Sequence, residues 1–218
     1  MNMPNGMMGS LYRGSEWIMR IAYVNFLWLA FTLFGLIVLG VIPATVATLA
    51  VIRKWFMGET DIPILKTFLT VYKDGFIKVN ILGLLLGIAI FIVYVDFLFL
   101  NTLDGMFRIV MNIALITIVF LLFIIIVYIF PVYVHYRLKL LDYIKHALII
   151  GILNPLPTLL MIIGLLVLYQ VFVYVPGLIL FFGVSLICIT LMGPAYISFR
   201  KVEIKKWGVE VNKAEESH

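Results

Sequence analysis

The chain has 218 residues, 64% of them hydrophobic and 12% charged, with a mean hydropathy of +1.17. Soluble domains carry about 25% charged residues, so this balance excludes a water-soluble globule and leaves lipid as the solvent for the apolar surface. Lys and Arg outnumber Asp and Glu by 16 to 11, yet a nucleic-acid partner is not expected. The basic residues flank apolar runs, where they set topology and contact anionic headgroups.

Residues 1–16 are Met-, Gly- and Asn-rich and are expected to be loosely ordered up to Leu11, with Ser15 placed to cap a helix starting near Trp17. No secretory signal is expected, since the first apolar run is far longer than an h-region and no Lys or Arg precedes Arg13. No lipidation is expected either, from a chain that reads Met1-Asn2 at its start and Glu216-Ser217-His218 at its end. From Ile21 to Ile52 there are 32 residues without a charge or a histidine. As one helix the run would reach ~48 Å at ~1.5 Å per residue, against a hydrocarbon core of ~30 Å. Gly40-Val41-Ile42-Pro43 lies inside it. Proline opens helices and disrupts their interiors, so a turn is expected there, with Trp17–Leu39 going out and Pro43–Met57 returning. The returning segment is rich in small residues (Ala44, Thr45, Ala47, Thr48, Ala50) and stops at Arg53-Lys54-Trp55. Small side chains let helices approach closely in lipid.

Gly58 to Pro63 reads as a turn. After it, Ile64, Leu65, Phe68, Leu69, Tyr72 and Phe76 share one side and Lys66, Thr67, Thr70, Lys73 and Asp74 the other, the pattern of a helix lying in the membrane surface. A crossing is expected from Phe76 to Leu100, a turn at Asn101–Gly105, and a return over Met106–Phe130 before Pro131. Leu138–Ile150 is a second amphipathic stretch. Ala147–Phe199 is then uncharged for 53 residues, enough for two crossings broken at Val175-Pro176-Gly177 and entered at Asn154-Pro155-Leu156-Pro157.

The expected fold is therefore all-α: a polytopic transmembrane bundle of six crossings with two interfacial amphipathic helices. It forms one membrane domain over 1–206, followed by a soluble charged tail over 207–218. Six crossings put fifteen of the sixteen Lys and Arg residues on one side, with only Arg108 opposite. The positive-inside tendency makes that side, and both termini, cytoplasmic in a bacterial plasma membrane. Five crossings, with one kinked first helix, is the alternative, because Pro43–Met57 is short for a span.

One internal echo stands out. Pro131-Val132-Tyr133-Val134-His135-Tyr136-Arg137 parallels Pro194-Ala195-Tyr196-Ile197-Ser198-Phe199-Arg200, with Pro43 to Arg53 a looser third copy. Three like-oriented hairpins (11–57, 62–137, 138–206) are one reading; recurrent proline and Tyr/Arg anchoring at membrane exits is the other.

No phosphate loop, H-E-x-x-H, G-x-S-x-G or cysteine pair occurs, so no enzyme class and no cofactor are expected. Cys188 is alone, and His135 and His146 fall on different segments, so no metal site is expected either. Asp96 is the acid embedded in a crossing, a candidate solute contact or the partner of Arg108 across the short turn. Asn25, Asn80, Asn112, Asn154 and Gln170 are expected to hydrogen-bond between helices. Of these, Asn154 is the second candidate contact, placed to take up backbone groups freed by the adjacent prolines. Arg53, Lys54, Lys73, Arg137 and Lys139 form a candidate cytoplasmic docking surface.

Pro43-Ala44-Thr45, Ala47, Arg53-Lys54-Trp55 and Gly58-Glu59, followed by the amphipathic stretch with Phe68 and Tyr72, resemble the YesL family of bacterial membrane proteins. The similarity covers most of the chain and is most specific from Gly40 to Gly83. The resemblance implies a plasma-membrane protein of unknown function, encoded near sugar-uptake and polysaccharide-utilisation genes, especially ABC importers. It supplies no catalytic residues. Two roles follow as expectations: a non-enzymatic accessory to carbohydrate uptake or its regulation, docking a sugar ABC transporter or a sensor component, or a small solute transporter or transporter subunit. The lipid bilayer is the partner common to both.

Overall fold

A computed structural model describes the backbone of residues 7–100 and 102–216, and side chains over 12–100 and 102–203. Seven helices occur among the described residues: α1 (Met7–Phe34), α2 (Val38–Phe56), α3 (Ile64–Leu100), α4 (Gly105–His135), α5 (Leu140–Leu153), α6 (Pro155–Tyr174) and α7 (Gly177–Glu216). All but α5 are long and apolar enough to cross a membrane, which makes six crossings. The chain reverses fully between α1 and α2, where the Trp28 indole donates to Thr45 Oγ1 at 3.0 Å, so a single kinked first helix is ruled out.

The reversal falls earlier than the proline suggests. It uses Gly35, Leu36 and Ile37, whose last two residues have φ of 58° and 62°. The Val38 N–H donates to the Leu36 carbonyl at 2.7 Å, closing a γ-turn of the rare, strained form. Pro43 then sits inside α2 rather than at its start. Lacking an N–H, it leaves the carbonyl of Leu39, four residues back, without its helical donor. Asn80 of α3 supplies the replacement, its side-chain amide donating to Leu39 O at 3.0 Å and also to Phe76 O at 2.8 Å.

α2 is the hub. It packs against α1, α3, α4 and α7, and its small face (Gly40, Ala44, Ala47, Thr48) is fully covered. Backbone meets backbone at its N-terminal end. A methyl group on Gly40 would stand 2.5 Å from the Thr32 carbonyl oxygen, and one on Gly35 would stand 2.4 Å from Gly40 Cα. A further polar tie crosses from α1 to α7: the buried Asn25 amide donates to Leu180 O at 2.7 Å and accepts from Val184 N at 3.1 Å. It thereby spans both ends of one helical turn of α7.

Other boundaries also move. α1 begins at Met7, so Ser15 lies within the helix instead of capping it. The first amphipathic stretch is no separate surface helix: α3 continues unbroken from Ile64 into its crossing. The second is its own helix, α5, which lies along α4 with Gly151 against Tyr128 and Ile124. α7 carries on helically to Glu216, through the stretch expected as a tail; its side chains beyond Glu203, and residues 217–218, lie outside the described residues.

If Asn80 is present to satisfy the carbonyl that Pro43 frees, Asn80→Leu destabilises the chain by about 1–3 kcal/mol, the cost of an acceptor left unpaired where hydrocarbon offers no donor. The same change in a Pro43→Ala background, where residue 43 regains its N–H, costs clearly less. Unfolding of the four variants in detergent measures the coupling; equal losses in both backgrounds would refute the pairing.

Candidate functional site: a basic cavity at one end of the bundle

Interactions among charged side chains gather one end of the bundle. Arg20 of α1 donates to Thr60 O at 2.6 Å and pairs with Glu16 and Asp61, pinning the α2–α3 loop. Lys54 pairs with Glu59 at 3.6 Å. Arg53, near the end of α2, donates from Nε to His135 Nδ1 at 3.0 Å. That nitrogen must be unprotonated to accept, so the ring proton sits on Nε2, which contacts Glu203 of α7 at 3.0 Å. His135 therefore joins α2, α4 and α7. Its ring stacks on Phe199, with centroids 4.4 Å apart, and stands edge-on to Tyr136 at 4.7 Å.

Beside this junction α2, α3 and the α4–α5 link enclose an open cavity of about 670 Å³. α4 ends at His135, and residues 136–139 run extended to α5. Tyr143 clamps that link, accepting from Leu138 N at 3.1 Å and donating to Tyr136 O at 3.3 Å. The link thus becomes a fixed wall. Arg53, Lys54, Lys78 and Arg137 contribute four positive charges to the lining, against one carboxylate, Asp74. Tyr133 packs its hydroxyl over Gly75, where a side chain would crowd it at 3.2 Å. The Tyr136 hydroxyl is buried with no hydrogen-bond partner among the described residues. Burial, and then nearby Glu203, push its pKa up to about 12, so it is a neutral donor at physiological pH.

Of the five residues singled out as a docking surface, Arg53, Lys54 and Arg137 line this cavity together. Lys73 is exposed on a neighbouring groove of α3, and Lys139 is exposed at the start of α5. The expected pairing of Asp96 with Arg108 does not form: both are exposed, and no ion pair joins them across the α3–α4 turn. Asn154 is buried and turned onto its own helix, donating to Ile150 O at 2.9 Å. The carbonyl freed by Pro155 is that of Gly151, and Thr158 takes it at 3.0 Å, with Tyr128 at 3.0 Å from the same hydroxyl. Asn112 likewise bonds locally, to Arg108 O at 2.9 Å, and Gln170 is exposed. Asn25 and Asn80 are the amides that reach between helices.

The two clearer motif copies meet at this end. Pro131 and Pro194 lie inside α4 and α7, and His135 and Tyr136 of one copy contact Phe199 of the other. Beyond that point they part, since α4 has ended before Arg137 while α7 continues through Arg200; Pro43 of the looser copy is inside α2.

Comparison with known proteins places the chain among relatives of matching length. It is 39% identical to the uncharacterized protein YteU of Bacillus subtilis (strain 168) over 199 residues, covering 91% of this chain and 89% of that protein. It is 40% identical to YesV of the same organism over 195 residues (89% and 93%), and 30% identical to YesL over 187 (86% and 88%), both uncharacterized. Residues 21–97 match the family described as "Protein of unknown function, DUF624".

The chain belongs to the DUF624 family.

No solved structure matches it. The DUF624 match ends at residue 97, so it takes in Arg53, Lys54 and Lys78 but not the α4–α5 wall of the cavity. Sequence alone does not single out Lys78, Tyr133 or Tyr136, because a lysine at a membrane entrance and tyrosines at an exit read as anchors, nor Tyr143, which lies within an amphipathic stretch. The Tyr133–Arg137 echo was the available pointer to that wall.

His135→Phe keeps a ring to stack on Phe199 and deletes both hydrogen bonds. It should lower stability in detergent by about 1–3 kcal/mol. Unchanged unfolding would mean that the Arg53–His135–Glu203 connection contributes nothing.

Proposed function

We propose that this DUF624 protein is a non-enzymatic accessory to carbohydrate uptake or its regulation, acting in the bacterial plasma membrane with both termini in the cytoplasm. The observation that carries the reading is the collection of Arg53, Lys54, Lys78 and Arg137 around one cavity, with Lys73 and Lys139 exposed nearby. Charge arranged on a rigid surface steers and orients a partner of opposite sign. The positive-inside tendency supports the cytoplasmic assignment of this end. The carbohydrate setting and a sugar ABC importer or sensor as partner draw on the family resemblance. Purification of the tagged protein in mild detergent should recover an importer or sensor subunit, and Arg137→Glu with Lys139→Glu should release it. Recovery of the tagged chain alone, with a deletion strain growing normally across plant-wall sugars, would remove this reading.

The break between α5 and α6 favours a second reading, a small solute carrier. Interrupted helices with satisfied polar groups line the sites of many transporters, and here Asn154, Thr158 and Tyr128 cluster at such a break. Proteoliposomes should then accumulate labelled oligosaccharide, and Thr158→Val should slow them; uptake no greater than in empty vesicles rejects it.

A further inference from the structure

Arg53 is half-buried in the lining of the basic cavity, and among the described residues no carboxylate lies within ion-pair distance of it. The nearest candidates are engaged elsewhere: Glu59 by Lys54, and Glu203 by His135. Glu59 and Glu203 therefore act on Arg53 only at longer range, and a partly desolvated guanidinium without a direct ion pair is costly; its Nε is committed to His135, and its terminal nitrogens bond no described residue. Lys78 and Arg137 are exposed and likewise carry no ion pair with any described residue. Between them stand the Tyr133 hydroxyl, which bonds no described residue, and the buried, unpartnered Tyr136 hydroxyl. The sum is two guanidinium forks, two ammonium groups and neutral donors around a space of about 670 Å³, with Asp74 as the one opposing charge in the lining.

We propose that this cavity binds a phosphate monoester, the oxygens being held by Arg53, Lys78 and Arg137, with the tyrosine hydroxyls as neutral donors. A monocarboxylate brings a single charge and too few acceptors for such a set. A phosphate monoester carries close to two negative charges and three acceptor oxygens, which suit bidentate guanidinium contacts. The volume matches a small molecule or a lipid headgroup. An acidic protein segment would need an extended groove, whereas the link over residues 136–139, clamped by Tyr143, walls one side of the space. The inference rests on reading this end of the bundle as a contact surface, and it adds the chemistry of what is contacted.

The test uses the full chain in nanodiscs of phosphatidylcholine. In one arm, glycerol 3-phosphate and inorganic phosphate are titrated by calorimetry. In the other, phosphatidic acid replaces part of the lipid, and retention of that lipid by the purified protein is read by native mass spectrometry. Saturable binding of glycerol 3-phosphate, tighter than that of inorganic phosphate, identifies a soluble ester, and selective retention in the second arm identifies a headgroup; either supports the proposal, and inorganic phosphate binding alone overturns the ester assignment. Lys78→Gln and Arg137→Gln, both at exposed positions, should weaken binding by roughly tenfold or more each, as loss of a charged hydrogen bond does, while the ligand-free melting midpoint stays at the wild-type value. Arg53→Lys keeps the charge but loses the Nε bond to His135 and should also bind more weakly. Absence of saturable binding in both arms, or wild-type affinity in all three variants, overturns the proposal. No partner protein is present in either arm, so failure here leaves recovery of an importer subunit as a separate outcome.

Discussion

The architecture depends on a single requirement: in hydrocarbon, every backbone polar group must find its partner inside the protein. α2 tests that requirement most severely, because it is the most enclosed crossing and contains a proline. The Leu39 carbonyl released by Pro43 is taken by Asn80 of α3, and the Trp28 indole of α1 is taken by Thr45 of α2. Each of these bonds doubles as an interhelical tie. Interhelical packing then does what a hydrophobic drive cannot do in lipid. Small residues on α2 admit neighbouring backbones, and Gly35 and Gly40 meet with no room for a methyl group. A helix able to touch four others needs a slender face on nearly every side.

The position of α2 also determines where charge is presented. Its last turn delivers Arg53 and Lys54 to the end where α3 begins and α4 stops. His135 couples that turn to α4 and α7 through two hydrogen bonds and a ring stack, so three helices share one polar junction. Tyr143 holds the extended α4–α5 link in place. What would otherwise be a scatter of cations at helix ends becomes a walled space with preset geometry. The same side chains that crowd to one end of the bundle thus line a recess there.

Several features were readable from residue order because they depend on composition along the chain. The long uncharged runs, the breaks near residues 102 and 176, and the crowding of Lys and Arg to one side are properties of that kind. The first turn was misplaced because Pro43 was read as a helix opener. In isolation a proline deep in a helix costs about 3 kcal/mol, and the turn places its positive φ angles on Leu36 and Ile37 and not on the adjacent Gly35, where residue order would put them. Both become tolerable only with Asn80 at hand and with the Gly35–Gly40 contact closed. Asp96 and Arg108 were paired on sequence proximity, yet side-chain direction keeps both on the exposed surface of their helices.

By itself the amino-acid order determined that this chain crosses lipid and which end of the bundle carries the cations, while leaving five and six crossings open until the reversal before α2 decided for six. The first two follow from transfer free energies summed over local segments, for which neighbours in space scarcely matter. Only the tertiary structure decided which cations share a cavity, that His135 bridges Arg53 and Glu203, and that Asn25 and Asn80 close gaps in other helices. Those outcomes depend on helix rotation and depth, which are set by interlocking side chains from segments up to 160 residues apart in the chain, as the contact of Asn25 with Ser185 illustrates.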